Sequence, residues 1–417
     1  MLFLRYCLIV SSFLFLVPTF LNAQIVDQLE TIDVFLECDA CNGNLVREEI
    51  PYVNYVRDPE LAQVHIFVVR INTAGGSRFT FNFIGLQVFE GINNTITYTS
   101  LPTQTSQEIQ EDLIKKVRIG LVGYLAHTDI GDQMVLNVPQ GDDKRTKTTM
   151  SQQDDPWDFW LFEIYANGNL SLQSQRTTAN IWSGLEAERV TNEYRIRLRP
   201  YYSYRLQTIK RDSLDPLVSR VERYGFNGSI VKSMGDHWSA GFFHNALTDN
   251  FQNINWGTSI GPALEYNIFP YDEVARREFT IAYRTGYLYR DYLEETLFGQ
   301  YNEHLWNQSL SVNLRIRETW GSIFAGLSGS HYFHDFSANR LAFNSRVNWR
   351  VFKGLNMNVR GDFALINDQL NLPKGDASLE DILLAQTQLA TNYNVFLSAG
   401  LSYNFGSIYN NVVNTRL

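Results

Sequence analysis

The stretch Leu310-Ser311-Val312-Asn313-Leu314-Arg315-Ile316-Arg317 decides the fold. Apolar and polar residues trade places at every step, the period of a β-strand with one apolar and one polar face. Working outward, the same alternation recurs. Over 339–352, Leu341, Phe343, Val347, Trp349 and Val351 oppose Asn344, Arg346, Asn348 and Arg350. Over 354–366, Leu355, Met357, Val359 and Phe363 oppose Asn356, Asn358, Arg360 and Asp362. Over 393–406, Val395, Leu397, Ala399, Leu401, Tyr403 and Phe405 alternate with Ser398, Gly400, Ser402 and Asn404. A soluble sheet can carry such a pattern once. Repeated through residues 157–417, with Arg and Asn on one side, it predicts an all-β, antiparallel transmembrane β-barrel. An Arg facing lipid near the midplane costs about 2 to 4 kcal/mol, so the Arg face is expected to be the lumen.

Strands are predicted near 160–172, 178–189, 193–206, 222–233, 237–245, 256–269, 277–290, 307–317, 320–332, 339–352, 354–366 and 393–406. That is about twelve, an even number, as in bacterial single-chain barrels. Connections at 191–192, 233–236, 318–319 and 353–354 are tight and the one at 270–276 is moderate. Those around 207–221, 246–255, 291–306, 333–338 and 367–392 are mostly longer. Tight and long connections that alternate predict periplasmic turns and external loops, with both ends of the barrel segment on the periplasmic side.

The rest of the chain is of another kind. Arg5, the apolar run from Cys7 to Leu21 and the small-residue end at Ala23 read as a signal peptide over 1–23. The run is shorter than the roughly 20 residues a spanning helix needs, and Arg5 and Tyr6 before Cys7 argue against lipidation. Residues 24–138 read as a small α/β domain. Its expected strands are Val34–Leu36, Val64–Ile71, Arg78–Leu86 and Thr95–Ser100, with a short helical stretch at Leu45–Ile50. A longer helix is predicted to open on a capping box, Thr105 and Glu108, and to carry the stripe Ile109, Leu113, Val117, Leu121 and Tyr124. The Gln-, Asp-, Lys- and Thr-rich stretch 139–156 lacks periodicity and reads as a linker.

Composition fits this division. Mean hydropathy is −0.21, since each lipid-facing residue of a barrel is offset by a lumenal polar one. Aromatic residues reach 14%, as expected where rings sit at bilayer interfaces. A net charge of −9 argues against nucleic acid as a partner. After the signal only Cys38 and Cys41 remain, so the chain is expected to be stable without a disulfide framework.

The terminal Val395–Phe405 strand resembles the carboxyl-terminal strand by which outer-membrane proteins are recognised for assembly, although a tail, 406–417, follows it here. The layout resembles that of uncharacterised Gram-negative outer-membrane β-barrel proteins, and the element order of 24–138 is similar to the amino-terminal domain of TolB-like periplasmic proteins. These resemblances imply an outer-membrane location, a periplasmic amino-terminal domain with a possible protein partner there, contact with outer-membrane lipid, and passage through the barrel-assembly machinery.

The inward-facing charges are the candidate site. Alternation sends Arg195, Arg197, Arg199, Arg205, Arg284, Arg290, Arg315, Arg317, Arg346, Arg350 and Arg360 to the lumen, with Glu163, Glu186, Glu188, Glu265 and Asp362 as counter-ions. They are read first as a salt-bridge network filling a narrow, plugged or barely conducting barrel, and alternatively as an anion-favouring porin-like channel. Cys38-Asp39-Ala40-Cys41 follows a strand and is read as a structural disulfide, with a thioredoxin-like redox pair or a metal pair as alternatives. Ser330, His331, His334 and Asp335 superficially suit an outer-membrane phospholipase, but a Ser beside its base in a strand points to the opposite face. The expected activity is therefore non-enzymatic, with no metal cluster and no cofactor. The loop from Leu293 to His304, with Phe298, Tyr301, Glu294, Glu295 and Glu303, offers a surface for an external partner.

Overall fold

The computed structural model describes residues 30–416 apart from 74–75, 102, 136–154, 212–213, 376–377, 379–383, 385, 408 and 415. The signal-peptide segment 1–23 and nearly all of the linker 139–156 lie outside the described residues.

The first unit is a five-stranded mixed sheet: β1 Asp33–Glu37, β2 Asn54–Tyr55, β3 Val64–Thr73, β4 Gly76–Gly85 and β5 Asn93–Thr99, in the order β2-β1-β3-β4-β5. β1 runs parallel to β2 and β3, whereas β3–β4 and β4–β5 are antiparallel. The helices are α1, Gly43–Glu49, and α2, Ser106–Leu125. On β4 the odd positions Phe79, Phe81 and Phe83 are buried, and α2 lays Leu113, Val117, Leu121 and Tyr124 over the same core. Gly120 lets the helix approach: a Cβ there would sit 1.9 Å from the Phe83 ring. The Tyr124 hydroxyl donates to the Ile92 carbonyl at 2.7 Å, and burial pushes that phenol up to about 12. α2 opens on the capping box, with Thr105 N–H donating to Glu108 Oε2 at 2.7 Å and Glu108 N–H donating to Thr105 Oγ1 at 3.2 Å. Sequence reading misses β2, two residues long and too short to alternate.

The second unit is a twelve-stranded antiparallel sheet: β6 Trp160–Leu172, β7 Arg176–Val190, β8 Tyr194–Arg211, β9 Leu214–Met234, β10 Trp238–Asp249, β11 Ile254–Asn267, β12 Arg277–Tyr292, β13 Asn302–Glu318, β14 Gly321–Tyr332, β15 Asn339–Phe352, β16 Leu355–Ile366 and β17 Tyr393–Tyr403. Each strand pairs with its neighbours in sequence, so the sheet is a meander from β6 to β17. Three expectations are corrected. The sheet is not closed among the described residues, since β6 and β17 share no pairing and both are exposed along most of their length. Alternation fixes faces and neighbours, and it carries no information about closure. The predicted long connection at 207–221 is mostly strand, because β8 and β9 run 18 and 21 residues as a paired ribbon. Gln207-Thr208-Ile209-Lys210-Arg211 is largely polar on both sides, so cross-strand hydrogen bonds hold it there without an apolar signature. The sorting of tight and long connections is therefore clear only in the later hairpins. Finally, β17 ends at Tyr403, and Gly406 turns the chain with a φ of +118°.

The tail then reaches the first unit. Val56 and Tyr409 form an antiparallel bridge, Asn410 N–H donates to the Tyr55 carbonyl at 2.7 Å, and Tyr55 N–H donates to Asn411 Oδ1 at 2.5 Å. From the β15–β16 turn, Gly354 N–H donates to Asp58 at 3.1 Å. Gly354 is required there: its φ is +76°, and a Cβ would stand 2.2 Å from the Asn404 carbonyl.

Candidate functional site

The two faces of the twelve-stranded sheet differ throughout. One carries Phe162, Ile181, Ile230, Phe242, Ile260, Leu264, Ile281, Leu310, Leu327, Phe343 and Leu397 in exposed positions. Aromatic residues gather at its two ends: Trp238 beside Tyr266 at 4.7 Å near the tight turns, and Trp306 beside Tyr287 at 5.5 Å near the other end. On β11, Trp256 and Tyr266 stand ten positions apart, a span of about 33 Å along the strand or about 25 Å along an axis tilted by about 40°.

The opposite face holds the predicted charges. Near the tight turns Glu188, only 5% exposed, accepts from Arg195 at 2.7 Å and from Arg197 at 3.0 Å, and Glu186 accepts from Arg199. Arg315 pairs with Glu278 at 2.5 Å, and Arg360 with Asp362 at 3.0 Å. Arg317 donates to the Ala275 carbonyl at 3.0 Å. Arg350 donates to the Thr319 carbonyl, pairs with Glu37 at 3.4 Å, and lies 5.0 Å over the Phe35 ring. Glu37 also contacts the buried His65 at 3.0 Å, so one carboxylate ties the first unit to the sheet.

The other predicted residues are spread along the same face. Glu163 stands across from Glu186, and Glu265 accepts from the Tyr271 hydroxyl at 3.1 Å. Arg205 lies between Asn180 and Val221 in register. Arg284 stacks 4.2 Å over Phe243 and lines, with Arg197, Arg199 and Asn227, a cavity of about 550 Å³. Arg346 stands between Phe324 and Arg360 in register and makes no ion pair among the described residues.

Sequence reading misses several charged pairs on this face: Arg223 with Asp249 at 2.6 Å, Arg340 with Asp368 at 3.0 Å, and Glu278 itself. Arg223, Arg340 and Glu278 were legible from strand parity. Asp249 falls within the expected connection 246–255 and Asp368 within 367–392, where no periodic signal marks them.

The described parts of connection 367–392 lie at the end of the sheet remote from the tight turns. Leu297 N–H donates to the Leu372 carbonyl at 2.9 Å, Asn253 Nδ2 donates to the Asn371 carbonyl at 3.1 Å, and Gln388 N–H donates to the Phe251 carbonyl at 2.9 Å. A segment leaving β16 thereby reaches the β10–β11 hairpin, and Leu370 buries Leu288 and Leu305 of the charged face beneath it. In the 293–304 region Glu295 pairs with Lys374 at 3.1 Å, while Phe298 and Tyr301 stay exposed.

Cys38 and Cys41 are joined by a disulfide, with Cα atoms 5.3 Å apart. Ser330 pairs in register with Ser309 and Arg340, whereas His331 contacts Gln308 at 2.7 Å and the Phe336 ring at 4.4 Å. Asp335 accepts from the Ser337 hydroxyl and N–H at 2.6 and 2.8 Å, which holds its carboxyl below the usual range. Among the described residues no group of three or more His, Cys, Asp or Glu side chains is arranged to hold a metal ion.

These features define a class: a twelve-stranded antiparallel meander with a charged face and an apolar one, carrying a small mixed-sheet domain. No protein-family model matches the chain, and no curated protein matches it. Among solved structures, it is similar to a NanC porin in a rhombohedral crystal form, at 10% identity over 59% of this chain and 100% of that one, with a TM-score of 0.28. It is also similar to the translocator domain of autotransporter NalP from Neisseria meningitidis, at 12% identity over 59% of this chain and 82% of that one, with a TM-score of 0.19.

Proposed function

We propose that the chain is a non-enzymatic outer-membrane β-barrel protein that anchors its amino-terminal domain on the periplasmic side, with a charged lumen obstructed at both ends. The carrying observation is the outer face: aliphatic residues lie between two aromatic rows, about 25 Å apart along a tilted axis, the height of the apolar band of such barrels. Burying this face in a soluble core would require a second layer, and the described residues include none over it. The described residues leave β6 and β17 unpaired; pairing them would close the barrel, and an even strand number would make that pairing antiparallel. The tight-turn end meets the first unit through Arg350–Glu37 and Gly354–Asp58, and described parts of connection 367–392 bond to the hairpin loops of the other end. The element order of residues 24–138, read from the sequence as similar to the TolB amino-terminal domain, suggests a periplasmic protein as its partner.

The test is extraction of cell envelopes. The full chain is expected to resist carbonate and high salt and to leave only with detergent; release by carbonate would overturn the reading.

A second reading, an anion-favouring small-solute channel, is favoured by Arg284 and Arg346, which have no acidic partner among the described residues. Planar-bilayer conductance under a salt gradient separates the two. Steady anion-selective current weakened in selectivity by Arg315→Ala and Arg346→Ala supports the channel, and silent insertions support the obstructed barrel.

A further inference from the structure

Beneath connection 367–392 lies a cavity of about 190 Å³. Its lining is almost wholly polar and includes Arg290, Arg340, Tyr292, Tyr332, Asn371 and Gln388. The charges around it are unevenly matched. Arg340 gives both its contacts to Asp368, at 3.0 and 3.1 Å, and Glu303 is taken by the Tyr292 hydroxyl at 2.5 Å. Arg290 stands in register between Gly257 and Glu303, yet makes no ion pair among the described residues, and its buried Nη1 has no hydrogen-bond partner. The guanidinium rests where a side chain at 257 would be: a Cβ on Gly257 would lie 2.3 Å from Nη1. Glycine at that position thus seats an arginine whose donors no acid among the described residues uses, beside the Tyr332 hydroxyl and the Gln388 side-chain amide, whereas Tyr292 and Asn371 give their protons to groups of the protein. A guanidinium presents a planar fork of N–H donors that matches an oxyanion, and in a confined site such a charge-assisted bond is strong.

We propose that this cavity is a binding site for the oxyanion group of a small solute, a carboxylate or a phosphate, with Arg290 as its anchor and the Tyr332 hydroxyl and Gln388 side-chain amide as its neutral donors. The site depends on the fold of strands β11–β15 and on the described parts of the connection, and stands whether or not the lumen conducts.

The experiment uses the purified full chain in detergent with two probes, inorganic phosphate followed by ³¹P line broadening and acetate followed by saturation-transfer NMR. Saturable binding of either probe is expected, weakened at least tenfold in Arg290→Gln and unchanged in Lys115→Gln, on α2 of the first unit and away from the cavity. Binding of phosphate alone assigns a phosphate-bearing solute, and of acetate alone a carboxylate. Gly257→Ala serves as the second variant, because it keeps every charge while displacing the guanidinium, and it is expected to weaken binding as Arg290→Gln does. Absence of saturable binding by the wild-type chain overturns the proposal, as does equal binding by the wild type and both cavity variants.

Discussion

The two units solve the same problem in opposite directions. In the amino-terminal unit the apolar side chains point inward, with Phe81, Phe83, Val117 and Leu121 almost wholly removed from solvent. In the twelve-stranded sheet they point outward, with Leu310 50% and Leu397 74% exposed, while ion pairs occupy the other side. A period-two pattern specifies which residues share a face and leaves open which face meets water. Solvent decides that, and on the proposed reading the arginines mark the side away from lipid, where alone they can be carried.

The sharpest way to break this comparison is to remove an apolar side chain from each unit. Phe83→Ala, which empties the space against Gly120, is expected to cost about 3 to 5 kcal/mol. The loss is read from hydrogen exchange of β3 and β4 amides in the full-length protein. Leu310→Ala is expected to stay within about 0.5 kcal/mol in detergent, as a surface change does. Equal losses at the two sites would mean that the sheet buries its apolar face after all.

The next test adds a charge. Leu327, mid-strand on β14 with Val312 and Phe343 beside it, is 45% exposed on the apolar face. Leu327→Arg is expected to cost about 2 to 4 kcal/mol when the chain is refolded into lipid vesicles, and much less in a loose detergent micelle. The neighbouring Ser328→Arg, on the charged face, should be far better tolerated. A reversal of the pair would exchange the faces.

Much of this contrast was legible in the residues themselves. Strand positions on β13, β15 and β16 follow from alternation, because most steps on the apolar face carry a large apolar residue, with Ser345 and Gly361 as the interruptions. Pairing reached through loops was not legible. Asp368 finds Arg340, Asn371 approaches the β10–β11 hairpin, and Asn411 reaches Tyr55 across most of the chain, all by geometry that no local period encodes. Strand parity puts Arg290 on the same face as Arg284, yet its seat over Gly257 depends on the register of β11 against β12. That register is set by the strands' whole length, and a single strand's sequence does not contain it.

The smallest effect tests whether the amino-terminal unit relies on local aqueous devices that the sheet does not use. At the start of α2 the Thr105 N–H and then its hydroxyl hold the Glu108 carboxyl below its ordinary range. A carboxyl lowered in the folded state stabilises the fold above its unfolded pKa, about 4.3. That contribution is lost as the pH falls through the lowered folded value. Thr105→Ala removes the hydroxyl from both halves of the capping box and leaves the backbone donor in place, so at neutral pH it is expected to cost about 1 kcal/mol. Its second signature is a shallower acid limb: exchange of α2 amides should accelerate less between about pH 5 and pH 3 than in the parent, since less is left to lose by protonating Glu108. An unchanged acid limb would mean that the carboxylate's contact with the backbone N–H alone sets its lowered pKa, and that the threonine acts only through the Glu108 N–H it caps.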